Sequence, residues 1–132
     1  MPITLKSDRQ QSSWATVDIS YADLVSGAAQ TAIQLPVNAV VQAGAVVVKT
    51  AFNSATSDVI VVGDSASSNR YRASVSIAAA GRQALTPTGY LTLTTTRGLQ
   101  VTWTGVGAAP SAGALRLEVE YIVLGRGDAN QD

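Results

Sequence analysis

The segment "ALRLEVEYIV" near the C-terminus alternates between apolar and polar positions over most of its length. Apolar residues occupy every second position from Leu115 to Val123, and Arg116, Glu118 and Glu120 lie between them. A period of two is typical of a β-strand that packs one face on a core and presents the other to solvent. We therefore predict a strand over 114–123, with its inward face formed by Leu115, Leu117, Val119, Tyr121 and Val123.

The same alternation recurs in "LTLTTT" and "LQVTWT", which are separated by "TRGL". This spacing predicts a hairpin in which Gly98 takes a positive φ in a short bulged loop. The inward residues of its two strands are predicted to be Leu91, Leu93, Val101 and Trp103. Further strands are predicted at 14–20, 30–35, 45–52, 58–62 and 70–77, and single helical turns in "IAAAGRQ" and "YADLVSGAA".

About eight short strands, separated by turn sequences and with no long helix between them, indicate an all-β protein. The spacing favours an antiparallel β-sandwich or barrel, and the sandwich could be jelly-roll-like, because the sequence does not determine strand order. One domain is expected at 14–125. We expect a polar N-terminal arm at 1–13 and a flexible polar tail at 126–132.

Composition excludes several classes of function. The chain of 132 residues has nine basic and nine acidic side chains, so it lacks the positive charge expected of a nucleic-acid-binding protein. No apolar run approaches the roughly 18 residues of a membrane span, and the first residues lack the apolar core of a signal peptide. We therefore expect no contact with nucleic acid or membrane, and synthesis in a cytoplasm.

Binding of a small molecule is also disfavoured. Aromatic residues make up only 5% of the chain, and ligand pockets depend heavily on aromatic side chains. There is no cysteine to form a disulfide or hold a metal. The residues Asn53, Asp58, Asp64 and Asn69 could supply oxygen ligands, but they are spread over two turns and lack the alternate spacing of a calcium loop. We predict no metal, no cofactor and no small-molecule substrate.

The segment "VIVVGDS" is the one candidate for an active site. It resembles the way in which Gly-Asp-Ser hydrolases present a nucleophilic serine, here Ser65, after a buried strand. A serine needs an adjacent base, and the chain has no histidine and only two lysines, Lys6 and Lys49. We interpret Asp64 and Ser65 as turn residues that bond their own backbone, and we predict that the protein is not an enzyme.

Three other features have simple interpretations. The tripeptide "RGD" at 126–128 matches an integrin-binding sequence, but in this setting we interpret it as part of the polar tail. The arginines of "RYRASV" are expected to form salt bridges across a sheet face or an interface. Trp14 and Trp103 are expected to be core or interface anchors, since large rings dominate both environments.

Ordered blocks over residues 45–130 resemble small virion proteins of tailed bacteriophages, among them capsid decoration (cement) proteins. The blocks are "AFNSATSDVIVVGDSASSNRY", "AAAG", "TPTG", a threonine-rich hairpin and "AGALRLEVEYIVLGRGDAN". The resemblance implies a β-sandwich, often a homotrimer, bound to the major capsid protein on the outside of an assembled head.

We therefore expect a structural virion protein that is made in the cytoplasm of a host bacterium and stabilises the capsid exterior. The polar arm, with Lys6, Arg9 and the nearby Trp14, is the expected site of part of the partner contact. The alternative is a receptor- or carbohydrate-binding module on a tail or fibre. That alternative is disfavoured because it needs exposed aromatic rings, and the chain has only one Phe, two Trp and four Tyr.

Overall fold

The computed structural model describes residues 12–124, which form eight strands and one short 3-10 helix. In chain order these are β1 (Ser13–Ser20), the 3-10 helix (Tyr21–Asp23), β2 (Ala29–Gln34), β3 (Ala39–Thr50), β4 (Ser57–Gly63), β5 (Arg72–Ser76), β6 (Gly81–Ala84), β7 (Gly98–Val106) and β8 (Ala114–Val123).

The strands form two four-stranded antiparallel sheets that pack face to face. Sheet A has the order β1-β8-β3-β6, and sheet B has the order β2-β7-β4-β5. The first strand thus pairs with the last, the second with the seventh, the third with the sixth and the fourth with the fifth. A long antiparallel ribbon wrapped in this way is a jelly roll. The predicted all-β antiparallel sandwich is confirmed, and its strand order is that of a jelly roll.

The alternation of β8 determines how this strand sits in sheet A. The side chains of Leu115, Leu117 and Val119 are fully buried in the core, and Tyr121 and Val123 pack against its margin. A register slip of one residue would expose this row and bury the charged one, so the strand has a single stable position. The predicted inward face is confirmed.

The predicted hairpin at 91–104 is wrong in its first half. The segment "LTLTTT" pairs only through an isolated bridge between Leu91 and Val40, and both Leu91 and Leu93 are exposed. Thr92 is buried instead, where its hydroxyl donates to the carbonyl of Pro36 and accepts from the amide of Ala39. The alternation ends after Leu93, where a turn begins, and the inward position is a threonine that binds backbone.

The second half of the predicted hairpin is correct. Val101 and Trp103 lie in the core, on the inner face of β7. Gly98, however, is the first residue of β7 and is not among the glycines with positive φ in the described residues. It extends the strand instead of closing a bulged loop.

Two further boundaries differ from prediction. β3 begins at Ala39, six residues earlier than predicted, because a bulge between Val41 and Ala43 lets the strand continue past Gln42. The segment "IAAAGRQ" forms no helical turn; its end is β6, which pairs with β3. The turn predicted in "YADLVSGAA" is present as the 3-10 helix.

β1 begins at Ser13, one residue before the predicted start of the domain. Most of the predicted arm at 1–13, including Lys6 and Arg9, lies outside the described residues, as does the predicted tail at 126–132 with its "RGD". Within residues 12–124 no helix is long and apolar enough to cross a membrane.

Candidate interaction surface

In the turn after β4, the side chains of Asp64 and Ser65 form hydrogen bonds with backbone groups. The carboxylate of Asp64 accepts from the amides of Ala66 and Ser67 at 2.9 Å each, and it is buried. The hydroxyl of Ser65 donates to the carbonyl of Thr95 at 2.8 Å, which ties this turn to the loop before β7. The predicted local turn chemistry is therefore confirmed for Asp64 and is wrong for Ser65, whose hydroxyl bonds a carbonyl of a distant loop instead of its own backbone.

Arg70 reinforces the same turn. Its Nε donates to the Asp64 carboxylate, and its guanidinium lies 3.5 Å from the centre of the Tyr90 ring. The hydrogen bond to Asp64 raises the pKa of Arg70 above its usual value. Tyr90 in turn shares a hydrogen bond of 3.0 Å with Thr96. The salt bridge predicted for this arginine is present, but it joins two residues of one loop instead of crossing a sheet face, and the stack on Tyr90 is what links this loop to a second one. Among the described residues Arg72, the other arginine of "RYRASV", forms no salt bridge.

Trp103 is an anchor of the core. Its indole Nε1 donates to Asp58 at 3.0 Å, and Asp58 also accepts from the amide and the hydroxyl of Ser54 at 2.8 and 2.7 Å. Asp58 is 1% exposed, so these three donors satisfy a carboxylate that has almost no access to water. Residues 12–124 contain no cluster of three or more acidic, His or Cys side chains suited to a metal ion.

Trp14 is the exposed tryptophan. It is paired with Glu120 across β1 and β8, and 56% of its surface is accessible. Glu120 lies on the outward row of β8, so the indole and the carboxylate lie side by side on the outer face of sheet A. Of the three residues predicted to contact a partner, Trp14 alone is within the described residues.

The charged side chains on the face that carries Trp14 differ in whether they form an ion pair. Lys49 points outward and binds Asp18 at 2.8 Å, which lowers the pKa of that carboxyl group. Arg116 binds Glu118 at 2.8 Å in the same way. Glu120 accepts only from the hydroxyl of Ser12, at 2.9 Å, and has no basic partner in the part of the chain that the structure describes.

Exposed apolar side chains cluster at the end of the sandwich where β1 begins and β8 ends. The amide of Leu124 donates to the carbonyl of Asn38, and the amide of Asn38 donates to the carbonyl of Thr92. These bonds bring together an end patch of side chains that are 37 to 53% exposed, formed by Val37, Leu91, Leu93 and Leu124. The sequence signal for this patch was the leucine pair of "LTLTTT", which alternation assigned to the core.

A cleft of about 250 Å³ opens on the side of the sandwich where β1 and β2 lie opposite each other. Its lining combines apolar side chains with the polar residues Asp18, Asp23, Gln30 and Thr31, and the amide oxygen of Gln30 is buried without a hydrogen-bond partner among the described residues. The residues that line it include Val17, Ile19, Leu24, Gln30, Ala32 and Val101. No sequence pattern indicates this cleft, because it depends on how far apart the two sheet edges lie.

The fold has counterparts among solved structures. A chain of the cyanophage Pam1 capsid asymmetric unit is 20% identical and superimposes with a TM-score of 0.72, over 93% of this chain and 99% of the other. A chain of the capsid of Ralstonia phage GP4 is 16% identical with a TM-score of 0.54, over 93% of this chain and 88% of the other.

This jelly roll is a fold found in phage capsids. The phage resemblance expected from the sequence is thus supported at the level of the fold. No protein-family model matches the chain, and no curated protein matches it either.

Proposed function

We propose that this protein is a structural component of a phage virion that binds the major capsid protein on the outside of an assembled head and stabilises it. The observation that carries the proposal is the fold shared with a chain of the Pam1 capsid, which covers nearly the full length of both chains. The sequence resemblance to decoration proteins supports the same role from a separate starting point.

The surface features fit contact with a protein. The exposed indole of Trp14 and the end patch lie at the same end of the sandwich, because the beginnings of β1 and β3 both pair with the last residues of β8. Exposed apolar residues that lie together mark sites of protein contact more often than single ones do. We propose that this end faces the capsid and that the arm at 1–13 adds to the contact.

We further propose that the protein acts as a homotrimer and has no catalytic activity. A trimer that touches a lattice at three points gains effective concentration at its second and third contacts, so a modest interface per copy suffices. Native mass spectrometry tests this state: three chains of 13.6 kDa give about 41 kDa. A monomer at micromolar concentration, or a mass that requires bound metal, would contradict it.

The experiment for the proposed function uses mature capsids that lack the protein. Purified protein is added, and its occupancy per capsid and the temperature of capsid disruption are measured. We expect saturable occupancy and a higher disruption temperature, because binding to the intact shell alone stabilises that shell by mass action. Deleting residues 1–12 is expected to lower occupancy while circular dichroism still shows a folded sandwich.

The location of the protein in the virion can also contradict the proposed function. If the protein never binds capsids and is located on the tail or fibre of the virion, the decoration role is wrong. The receptor- or carbohydrate-binding module then takes its place.

A further inference from the structure

Four strands lie at sheet edges in the described part of the chain: β1 and β6 in sheet A, β2 and β5 in sheet B. An edge strand presents unpaired N–H and C=O groups, and proteins protect such edges with short strands, bulges or irregular backbone. β6 has only four residues, β5 has five with a positive φ at Ser74, and β2 is interrupted by a register shift between Thr31 and Ile33. Three of the four edges are therefore protected.

β1 has none of these devices. It has eight residues without proline, glycine or lysine, and it pairs with β8 with no register shift from Ser13 to Ser20. A regular strand of this length is a template for another strand. Its outer edge is the place in sheet A where an extended segment fits best.

On both faces of the sheet beside this edge, side chains are placed where they would contact an added strand. On the outer face, Trp14 and Glu120 lie side by side, and Glu120 lacks a basic partner in the described residues. On the inner face, Val17 and Ile19 line the cleft between β1 and β2. Side chains of an added strand alternate between these faces, so one set would cover the indole and the other would enter the cleft.

We propose that β1 is the docking edge for an extended segment of the capsid protein, which adds a fifth strand to sheet A and places a lysine or arginine opposite Trp14. This inference rests on the proposed function. The basic side chain would stack on the indole and reach the Glu120 carboxylate, whereas an acidic one would be repelled. Main-chain hydrogen bonds supply affinity in this mode of binding, and the side-chain sites on the two faces supply specificity.

A second copy of β1 fits this edge less well than the capsid protein. The only charged residue of β1 is Asp18, so two such strands paired with each other cannot bring a cation to Trp14 and Glu120. Pairing of two β1 edges around a twofold axis would also give a dimer, which does not close into a trimer. The required partner segment is extended, carries a basic residue at one outward position and apolar residues at the inward ones.

The experiment measures amide hydrogen exchange of residues 13–20 in the free protein and on capsids that initially lack it. We expect part of the β1 amides to become at least tenfold more protected on the capsid, since their outward N–H groups acquire partners. Trp14→Ala and Glu120→Gln are each expected to weaken capsid affinity about tenfold. Glu118→Gln is the matched control, because that carboxylate lies on the same row and has its partner Arg116.

A pair of proline variants tests the backbone directly. Successive N–H groups of a strand point to opposite sides. Of the two substitutions Ala15→Pro and Thr16→Pro, one therefore removes a hydrogen bond to β8, and the other removes only an N–H group that points away from the sheet. The outward variant is identified as the one with the higher melting temperature. We expect it to stay folded and to bind capsids at least tenfold more weakly.

The outcomes separate the two proposals. If wild-type protein binds capsids but β1 exchange is unchanged, or the outward proline variant binds normally, the docking edge is wrong and the capsid role stands. If wild-type protein binds no capsid, the proposed function fails, and the docking edge fails with it.

Discussion

Replacing Tyr71 with phenylalanine is expected to stabilise the protein. The side chain is 1% exposed, and its hydroxyl has no hydrogen-bond partner among the described residues. A buried polar group without a partner carries a desolvation penalty of about 1–3 kcal/mol, and phenylalanine removes it while it fills the same space. We expect Tyr71→Phe to raise the free energy of unfolding by about 1 kcal/mol, or roughly 3–4 °C in melting temperature.

The same burial makes a prediction about alkaline pH. Desolvation raises the pKa of Tyr71 to about 12, from 10 for a free tyrosine, and the negative charge of Asp64 contributes to the rise. The folded state therefore favours the protonated form. This contribution to stability is complete below pH 10 and is lost as pH rises from 10 through about 12. At about 1.4 kcal/mol for each pKa unit, the loss is roughly 2–3 kcal/mol.

Urea unfolding at fixed protein concentration, followed by circular dichroism at pH 7, 10, 11 and 12, measures both effects. The advantage of Tyr71→Phe should grow between pH 10 and pH 12. Tyr90→Phe is the matched control, because it removes a hydroxyl that is bonded to Thr96 and should cost about 1 kcal/mol at pH 7. If Tyr71→Phe instead lowers stability at pH 7, the hydroxyl has a partner and the reasoning is refuted.

Four further substitutions test the fold and the turn after β4. Val119→Asp is expected to abolish soluble folded protein, because it places a charge at a fully buried position, whereas Glu118→Gln should shift the melting temperature by less than about 3 °C. Asp58→Ala is expected to destabilise the protein by about 3 kcal/mol in urea unfolding, since it leaves the buried indole N–H of Trp103 without an acceptor. Hydrolysis of aryl esters by the purified protein is expected to stay at the buffer rate, and a rate that Ser65→Ala abolishes would show that the serine is a nucleophile.

The strands that alternation predicted well are those whose inward positions are large and apolar. β8 and β7 are of this kind, with leucine, valine and Trp103 on the core side. In these segments the hydrophobic pattern and the packing point to the same face. The sequence therefore sufficed for both the strand and its orientation.

Alternation failed where polar side chains replace apolar ones on the inward face. In "LTLTTT" the backbone of the neighbouring loop offers Thr92 both a donor and an acceptor, so a threonine is buried at no penalty and the leucines face outward. That choice depends on Pro36 and Ala39, more than 50 residues earlier in the chain. A local pattern cannot contain this information.

The sequence did not predict the first residues of β3, because the glycine that interrupts the apolar pattern there is explained only by a contact with another strand. Gly44 looks like a strand interruption, but a Cβ at this position would collide with the backbone oxygen of Glu118 on β8. Glycine is needed there for the close approach of the two strands. The cleft beside Gln30 and the unprotected edge of β1 could not be predicted for a similar reason, since both follow from strand order.

The pairing of the first strand with the last has a consequence for how the chain is made. The hydrogen bond between Ser12 and Glu120 joins residues 108 positions apart, and β8 is the strand that links β1 to β3. A nascent chain therefore cannot complete sheet A until its final strand has left the ribosome. Folds of such high contact order form slowly and expose unpaired strands while they do so. Protein arrested on the ribosome before residue 114 should be fully sensitive to protease, and the chain should acquire resistance only once β8 has emerged.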